Sequence, residues 1–311
     1  MTGPLARQRG ISFGGAFDDD RQDGGRWLRE AHFEAVAAAG FDTVRLPVKW
    51  SAHQRADRPY RVDAAFVERV ERAVEAALGR GLAVVLDVHH FDALSARRHA
   101  GDEEWLLALW DEVARRFSNA GPGLSFELLN EPHGAMDAER WNRLLADAHA
   151  VVRAVSPERG AIVGPVRWNT VDALAGLRLP DDGRLAVTVH YYSPFRFTHQ
   201  GAGWVKGAGD WLGTRWGTPA ERARVRKDLE RAAAWAHARG VPLFLGEFGT
   251  TSAVPMADRA AWTALVRTEA ERLGIAWCYW DFATEFGAYD LGRGAWHEPL
   301  RAALLSGPAA A

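Results

Sequence analysis

The sequence predicts a single (β/α)8 barrel, a ring of eight parallel strands wrapped by helices, and three observations predict it. Eight short apolar runs alternate with stretches of helical periodicity. No linker divides the 311 residues, a length that one barrel accommodates because about 250 residues is typical of the fold. Polar residues capable of chemistry gather at the ends of the apolar runs. The expected organisation is one catalytic domain over 1–311, with the barrel proper at about 10–307.

Taken in order, 11–15 reads as the first strand, followed by the acidic loop Asp18-Asp19-Asp20. A helix over about 27–39 ends at Gly40, the residue type that most readily turns left-handed past a helix end. Strand two covers 42–47. Asp63 caps a helix whose Phe66, Val70, Ala73, Val74 and Ala77 share one face, and glycines at 79 and 81 close it before strand three at 82–86. A helix over 105–117 leads to the run Phe126-Glu-Leu-Leu-Asn130-Glu131, which Pro132 stops because proline donates no ladder hydrogen bond. Asp137 starts the next helix, with Trp141, Leu144, Leu145, Ala148 and Val152 at helical spacing. Strand five at 161–164, a weak helix over 171–177 and strand six at 185–189 follow. The Gly- and Trp-rich stretch 193–218 is too long for an ordinary connection and is expected to serve function. Helices over 219–239, 257–273 and 299–305 and strands at 243–247 and 275–280 complete the series.

Composition narrows the function. A net charge of -2 with no charged block offers no basic face to nucleic acid or to an anionic membrane, and no run of about 20 apolar residues could span a bilayer. Cys278 is the only cysteine, so no intrachain disulfide forms. The first residues lack a long apolar segment of signal type, which leaves a cytoplasmic protein or an exported one whose signal has been removed. A monomer is expected. The chain holds 14 tryptophans against 5 tyrosines, an excess that points to flat aromatic platforms in a binding cleft.

In a barrel of this kind the active site lies at the carboxyl ends of the strands. Reading strand ends alone gives Arg45, Trp50, His89, His90, Asn130, Glu131, Trp168, His190, Tyr192, Glu247 and Trp280. Glu131 and Glu247 are the natural pair for glycoside hydrolysis with retention, which needs two carboxyls about 5–5.5 Å apart. One must be protonated and the other ionised. Arg45 favours an ionised neighbour, the Tyr192 phenol suits a hydrogen bond to a nucleophile, Asn130 suits a sugar hydroxyl, and Trp280 suits the apolar face of a pyranose. Glu127 and Asp87 read as structural carboxylates. His89 and His90 are adjacent and should point to opposite faces of a strand, and no metal-binding motif accompanies them, so no metal or cofactor is expected. Trp27, Trp105, Trp110, Trp141, Trp235 and Trp262 are expected in the helix-to-barrel core, and Trp168, Trp204 and Trp211 are candidate platforms.

Six segments in register carry a resemblance. Arg45-Leu-Pro47, Asp87-Val-His89-His90, Leu128-Leu-Asn130-Glu131-Pro132, Val189-His190-Tyr191-Tyr192, Leu245-Gly-Glu247-Phe248-Gly249 and Trp280-Asp281-Phe282 together resemble glycoside hydrolase family 5, and 190–204 is similar to its bacterial endoglucanases. The resemblance implies a metal-independent barrel that hydrolyses β-1,4-linked glucans or mannans with retention, with Glu131 as acid/base and Glu247 as nucleophile. It also implies that Arg45, His89, His90, Asn130, His190, Tyr192 and Trp280 surround the reacting sugar. An endo-β-1,4-glucanase acting on a β-linked oligo- or polysaccharide is the leading expectation. A mannanase or glucomannanase and an exo-acting β-glucosidase are the alternatives, and a non-catalytic carbohydrate-binding barrel would have lost a carboxylate. One departure stands out: Gly14-Gly15-Ala16-Phe17-Asp18 occupies the place of the Gly-Asn-x-Leu-Glu common in these endoglucanases, which removes an amide and shortens an acid where distal sugars bind.

Overall fold

The computed structural model describes residues 9–19 and 27–307. Asp20, the N-terminal segment considered for a signal and the tail at 308–311 lie outside the described residues. Strands β1 (Arg9–Ser12), β2 (Thr43–Leu46), β3 (Ala83–Asp87), β4 (Leu124–Glu127), β5 (Gly160–Val163), β6 (Leu185–His190), β7 (Leu243–Glu247) and β8 (Ala276–Tyr279) form a closed parallel barrel in sequence order. Pairing of Gly10 with Cys278 closes the ring between β1 and β8. The fold class expected from the sequence is the one observed.

The helices begin and end where the chain supplies partners for their free backbone groups. Helix α1 (Glu30–Ala39) stops at Gly40, whose φ of 104° glycine adopts without strain. In α2 (Ala64–Gly79) the Asp63 carboxylate accepts from the Phe66 amide at 2.8 Å. Short α3 (Asp92–Ala96) precedes α4 (Ala100–Arg116), and Asp137 caps α5 (Ala138–Val155) through the Arg140 amide at 2.9 Å. Single-turn α6 (Val166–Asn169) and α7 (Phe195–Thr198) lie in the loops after β5 and β6. A reciprocal Thr218–Glu221 cap opens α8 (Pro219–His237), and α9 (Met256–Arg272) and α10 (Glu298–Leu305) complete the outer layer.

Several boundaries differ from expectation. Helix α1 starts at Glu30, which frees Trp27 from the helix, and the weak helix before β6 is a 3-10 segment, Val171–Gly176. A hairpin of β9 (Tyr289–Asp290) and β10 (Ala295–Trp296) follows β8, where the sequence shows only two-residue strands too short for a periodic signal. The long loop after β6 carries its own scaffold. Buried Gln200 accepts from the Gly213 amide at 2.9 Å and donates to the Phe197 and Thr214 carbonyls at 3.0 and 2.9 Å.

Alternation along the strands divides the core. Val84 and Leu86 join the large cluster between sheet and helices, which also holds fully buried Trp110, Trp141 and Trp262. Val85 faces inward, and with Ile162, Ala186, Phe244, Ala276 and Cys278 it forms a small apolar plug inside the barrel. Towards the carboxyl ends of the strands the interior turns polar: Arg45, Asp87 and Glu127 are fully buried there, with Asp87 and Glu127 side by side in register. No described helix is long and apolar enough to cross a membrane.

The Asp63 cap gives a test of this reading of the outer layer. Asp63→Ala should cost about 1 kcal/mol and lower Tm by about 2–4 °C in calorimetry, with no change in activity, because α2 holds the barrel wall and not the cleft.

Candidate active site

The polar floor of the barrel is built around one guanidinium. Arg45 donates through Nε and one terminal nitrogen to both oxygens of Glu127 at 2.7 and 3.1 Å. The terminal nitrogen that meets Glu127 also contacts Asp87 Oδ2 at 2.7 Å and Asn130 Oδ1 at 2.8 Å, and the other terminal nitrogen donates to Glu247 Oε1 at 2.7 Å. A side chain with no exposure thus ties β2 to β3, β4 and β7. Asp87 has further work: its Oδ1 accepts from the Val48 amide at 3.0 Å, and its Oδ2 lies 3.1 Å from His89 Nδ1, which leaves Nε2 of His89 towards the cleft. Burial pushes Asp87 up to about 6 against the pull of Arg45, and burial also holds His89 well below the usual imidazole range, so His89 is neutral.

Glu247 ends β7, and Oε1 takes Arg45 while Oε2 accepts from the Tyr192 hydroxyl at 3.0 Å. Burial, with Glu247 and Glu131 nearby, raises the Tyr192 phenol well above its usual value, so it remains a donor. Glu131 lies beyond the end of β4. The Leu128 and Asn130 amides still donate to the Ile162 and Val88 carbonyls, and then the chain turns at Glu131, where φ is 47°. That left-handed conformation is uncommon for glutamate and projects its carboxyl over the barrel mouth. Glu131 Oε1 is 2.7 Å from His190 Nδ1, and Glu247 Oε2 is 3.4 Å from the same nitrogen.

An oxygen of Glu131 and one of Glu247 therefore approach within 4.8 Å. Burial raises both carboxyls, to about 7 each, and the Glu131 charge adds to the rise of Glu247. Such a pair holds a single proton at neutral pH. Hydrogen bonds from a cation and a phenol favour the ionised form of Glu247, whereas Glu131 has no guanidinium in contact, so the proton sits on Glu131.

These groups lie at the bottom of a cleft of 1990 Å³. The Trp280 ring is stacked parallel to His89 at 5.3 Å and 1°, and both line one side. Trp168, 52% exposed, stacks on His133 at 4.9 Å, and Trp204, 58% exposed, stands near Phe286. Exposed indoles on a cleft wall are the arrangement that receives the apolar faces of sugars. Asp18, His89 and His90 bring one potential ligand atom each within 4.8 Å, a spacing suited to a cation or to a sugar hydroxyl. The similar grouping of Glu131, His190 and Glu247 is accounted for by the direct hydrogen bonds just described.

A profile of the family described as Cellulase (glycosyl hydrolase family 5) matches residues 16–285. The chain belongs to glycosyl hydrolase family 5. Among curated relatives, Endoglucanase H of Acetivibrio thermocellus is 32% identical over 269 residues, covering 86% of this chain and 28% of that protein, so the chain spans under a third of its length. Cellodextrinase A of Ruminococcus flavefaciens is 28% identical, covering 86% of this chain and 83% of that one. Among solved structures, endoglucanase Cel5A of the hyperthermophile Thermotoga maritima superposes with a TM-score of 0.92 at 37% identity, covering 96% of this chain and 97% of that one. That Cel5A has also been solved with cellobiose and with mannotriose.

Within this family 5 site, the structure brings together Glu131, Glu247, His89, His90, Asn130, His190, Tyr192, Trp168, Trp204 and Trp280 on the cleft, with Arg45 sealed beneath its floor. Three expectations need correction. Trp211 is not on the cleft wall: it ends a 3-10 turn, packs edge-on against Phe195 at 6.0 Å and lies under the Arg196 guanidinium, so it buttresses the loop. Phe195, which it supports, does line the cleft. His89 and His90 do not diverge, because β3 ends at Asp87 and both rings reach the cleft, 4.5 Å apart. Trp27 is not helix core: it lines the cleft, stacks on Phe282 at 6.5 Å and 5°, and donates to the Gly15 carbonyl at 3.1 Å. Reading strand ends also missed His133, His199 and Asn169, which sit in loops with no periodic signal.

Two outcomes check this electrostatic account. Arg45→Met should cost about 3–5 kcal/mol of stability, measured by denaturant unfolding at pH 7, because it strands three buried carboxylates; Arg45→Lys should recover only part, since an ammonium cannot make the bidentate contact. Glu131 in the folded state holds its proton to about 7, above its ordinary 4.5, so its contribution to stability is full below pH 4.5 and is lost as pH rises through 7. Glu131→Gln should therefore melt a few degrees above wild type at pH 8, with the gap closing by pH 4.

Proposed function

We propose that the chain is a retaining endo-β-1,4-glucanase in which Glu131 is the acid/base and Glu247 the nucleophile, and that the described barrel acts as one catalytic domain. The observation that carries the reading is the approach of the two carboxyls within 4.8 Å in unequal surroundings. Retention needs a short separation, whereas inversion leaves about 6.5–9.5 Å for a water between them.

In the first step Glu247 Oε attacks the anomeric carbon while Glu131 gives its proton to the leaving glycosidic oxygen; the carbon–oxygen bond to the leaving sugar breaks and an ester to Glu247 forms. As Glu247 loses charge, its repulsion of Glu131 falls, so Glu131 is left ionised and able to take a proton from water. The water oxygen attacks the same carbon as Glu131 takes one of its protons; the ester bond to Glu247 breaks, the sugar leaves with the new hydroxyl, and both carboxyls return to their starting states. Arg45 and Tyr192 hold Glu247 on the attack line, and Asn130, fixed by Arg45, presents its amide N–H side to the sugar hydroxyl beside the reacting carbon. Trp280, Trp168 and Trp204 receive sugar faces along the cleft.

The names of the relatives support a β-1,4-glucan substrate, and Cel5A in complex with mannotriose supports a second reading in which mannans are also cut. A product profile on carboxymethyl cellulose, lichenan, mannan and cellobiose separates these: internal cuts in glucans, with slow release of glucose from cellobiose, are expected. Proton NMR of the first products should show the β-anomer, and a 2-fluoro cellobioside should label Glu247. Glu247→Gln should lower kcat at least about a thousandfold. Label on any other residue, or α-anomer as first product, overturns the assignment.

A further inference from the structure

His190 serves both catalytic carboxyls, so the placement of its protons matters to both. Its Nδ1 faces Glu131 Oε1 at 2.7 Å and Glu247 Oε2 at 3.4 Å. A ring nitrogen between two carboxyl oxygens is the natural site of the N–H, and the opposite nitrogen, Nε2, is then a bare acceptor when the ring is neutral. At Nε2 the structure places one polar side chain, the Asn169 amide, with Nδ2 at 3.3 Å. Asn169 has no exposure and does not touch the cleft.

The chain goes to some length to put that amide there. Arg167, Trp168 and Asn169 take consecutive left-handed conformations with φ of 61°, 58° and 53°, a run that L-residues rarely adopt. Gly164, just past β5, leaves room: a Cβ there would meet Asn169 Oδ1 at 2.2 Å. In β7, a Cβ on Gly246 would sit 3.2 Å from His190 Nε2 and 2.4 Å from Thr188 Oγ1. Two glycines and a strained turn thus converge on one hydrogen bond.

We propose that Asn169 is a positioning residue that fixes His190 as the neutral Nδ1–H tautomer and so keeps the catalytic proton on Glu131. The proposal rests on the acid/base and nucleophile roles given above. Placing a proton on Nε2 would set an N–H against the Asn169 N–H, so His190 cannot readily take up a second proton and compete with Glu131 for it. The charged and titratable groups facing this network are Glu131, Glu247, Glu127, Asp87, Arg45 and His89 around His190, with His133 beside Glu131 and Tyr192 beside Glu247. Among them His190 alone carries an amide at its second nitrogen. Burial lowers the His190 imidazole from its ordinary range, in the same sense.

The test uses two variants and the wild type. Asn169→Asp is isosteric but accepts from Nε2–H, so His190 becomes cationic and draws both carboxyls towards ionisation; the bell of kcat/KM against pH should move to lower pH by about one unit. Asn169→Ala should lower kcat about tenfold with KM nearly unchanged, the size of one lost hydrogen bond. Nitrogen-15 spectra of histidine-labelled wild type near neutral pH should show His190 with Nδ1 protonated and Nε2 bare, assigned against His190→Asn. A folded Asn169→Asp enzyme with the wild-type bell, or a protonated Nε2 in the wild type, overturns the proposal, and the wild-type spectrum decides if either variant fails to fold. Labelling of Glu247 by the 2-fluoro cellobioside is read in parallel: label with an unmoved bell sinks the Asn169 inference alone, whereas label elsewhere sinks the underlying roles.

Discussion

A guanidinium sealed inside the barrel is the constraint on which the rest depends. Arg45 has no exposure and meets Glu127, Asp87, Glu247 and Asn130 within 3.1 Å. Removing such a group from water costs several kcal/mol, and only a full set of acceptors offsets it. The acceptors cannot relax independently, because they come from β3, β4, β7 and the turn after β4. Holding the cation therefore holds the geometry of Glu247 and of the Asn130 amide. One positive charge among four nearby carboxyls, counting Glu131, also leaves the floor short of cations. Burial first, and that shortage with it, keep a proton in the site at neutral pH.

Where the proton sits is decided by contacts rather than by depth. Both glutamates are raised to about 7 by burial, so burial alone does not assign their roles. Glu247 receives Arg45 and Tyr192, which stabilise charge; Glu131, on a left-handed turn above the mouth, shares His190 but no guanidinium. On the proposed roles, the same asymmetry lets the proton move in the two steps of retention, because an ester on Glu247 would remove a negative charge facing Glu131 across the cleft floor. On those proposed roles, stability and chemistry pull in opposite directions, since the raised Glu131 carboxyl is also the one that weakens the fold as pH rises.

The barrel and its central residues were legible in the sequence because period-two strands and helix caps are local signals. Asp63 and Asp137 cap the helices they were expected to cap, and Arg45, Glu127 and Glu247 sit in strands whose alternation points them inward. The alternation rule failed two and three residues past a strand end: with β3 over at Asp87, His89 and His90 both turn to the cleft. Trp27 was hidden by its proximity to α1, and Trp211 was overvalued because an indole in a loop looks alike whether it meets sugar or props up Phe195. Asn169 gave no signal at all, because its importance lies in a three-residue backbone conformation and in a contact 21 residues away along the chain.

The altered stretch near β1 shows how a backbone can limit a change of function. Gly15 has φ of 74°, a conformation that glycine takes freely and that asparagine tolerates better than most residues. Asparagine, which the sequence resemblance leads one to expect here, would fit the same turn, so glycine keeps the turn and lacks only the amide side chain. The space is bordered by Trp27, whose indole N–H donates to the Gly15 carbonyl, and by Asp18, which accepts from the Gly15 amide at 2.8 Å. Burial raises Asp18 well above the usual carboxylate range, against the backbone hydrogen bonds that lower it. Gly15, Asp18 and Trp27 all line the cleft, so an indole and a carboxyl border it beside this turn.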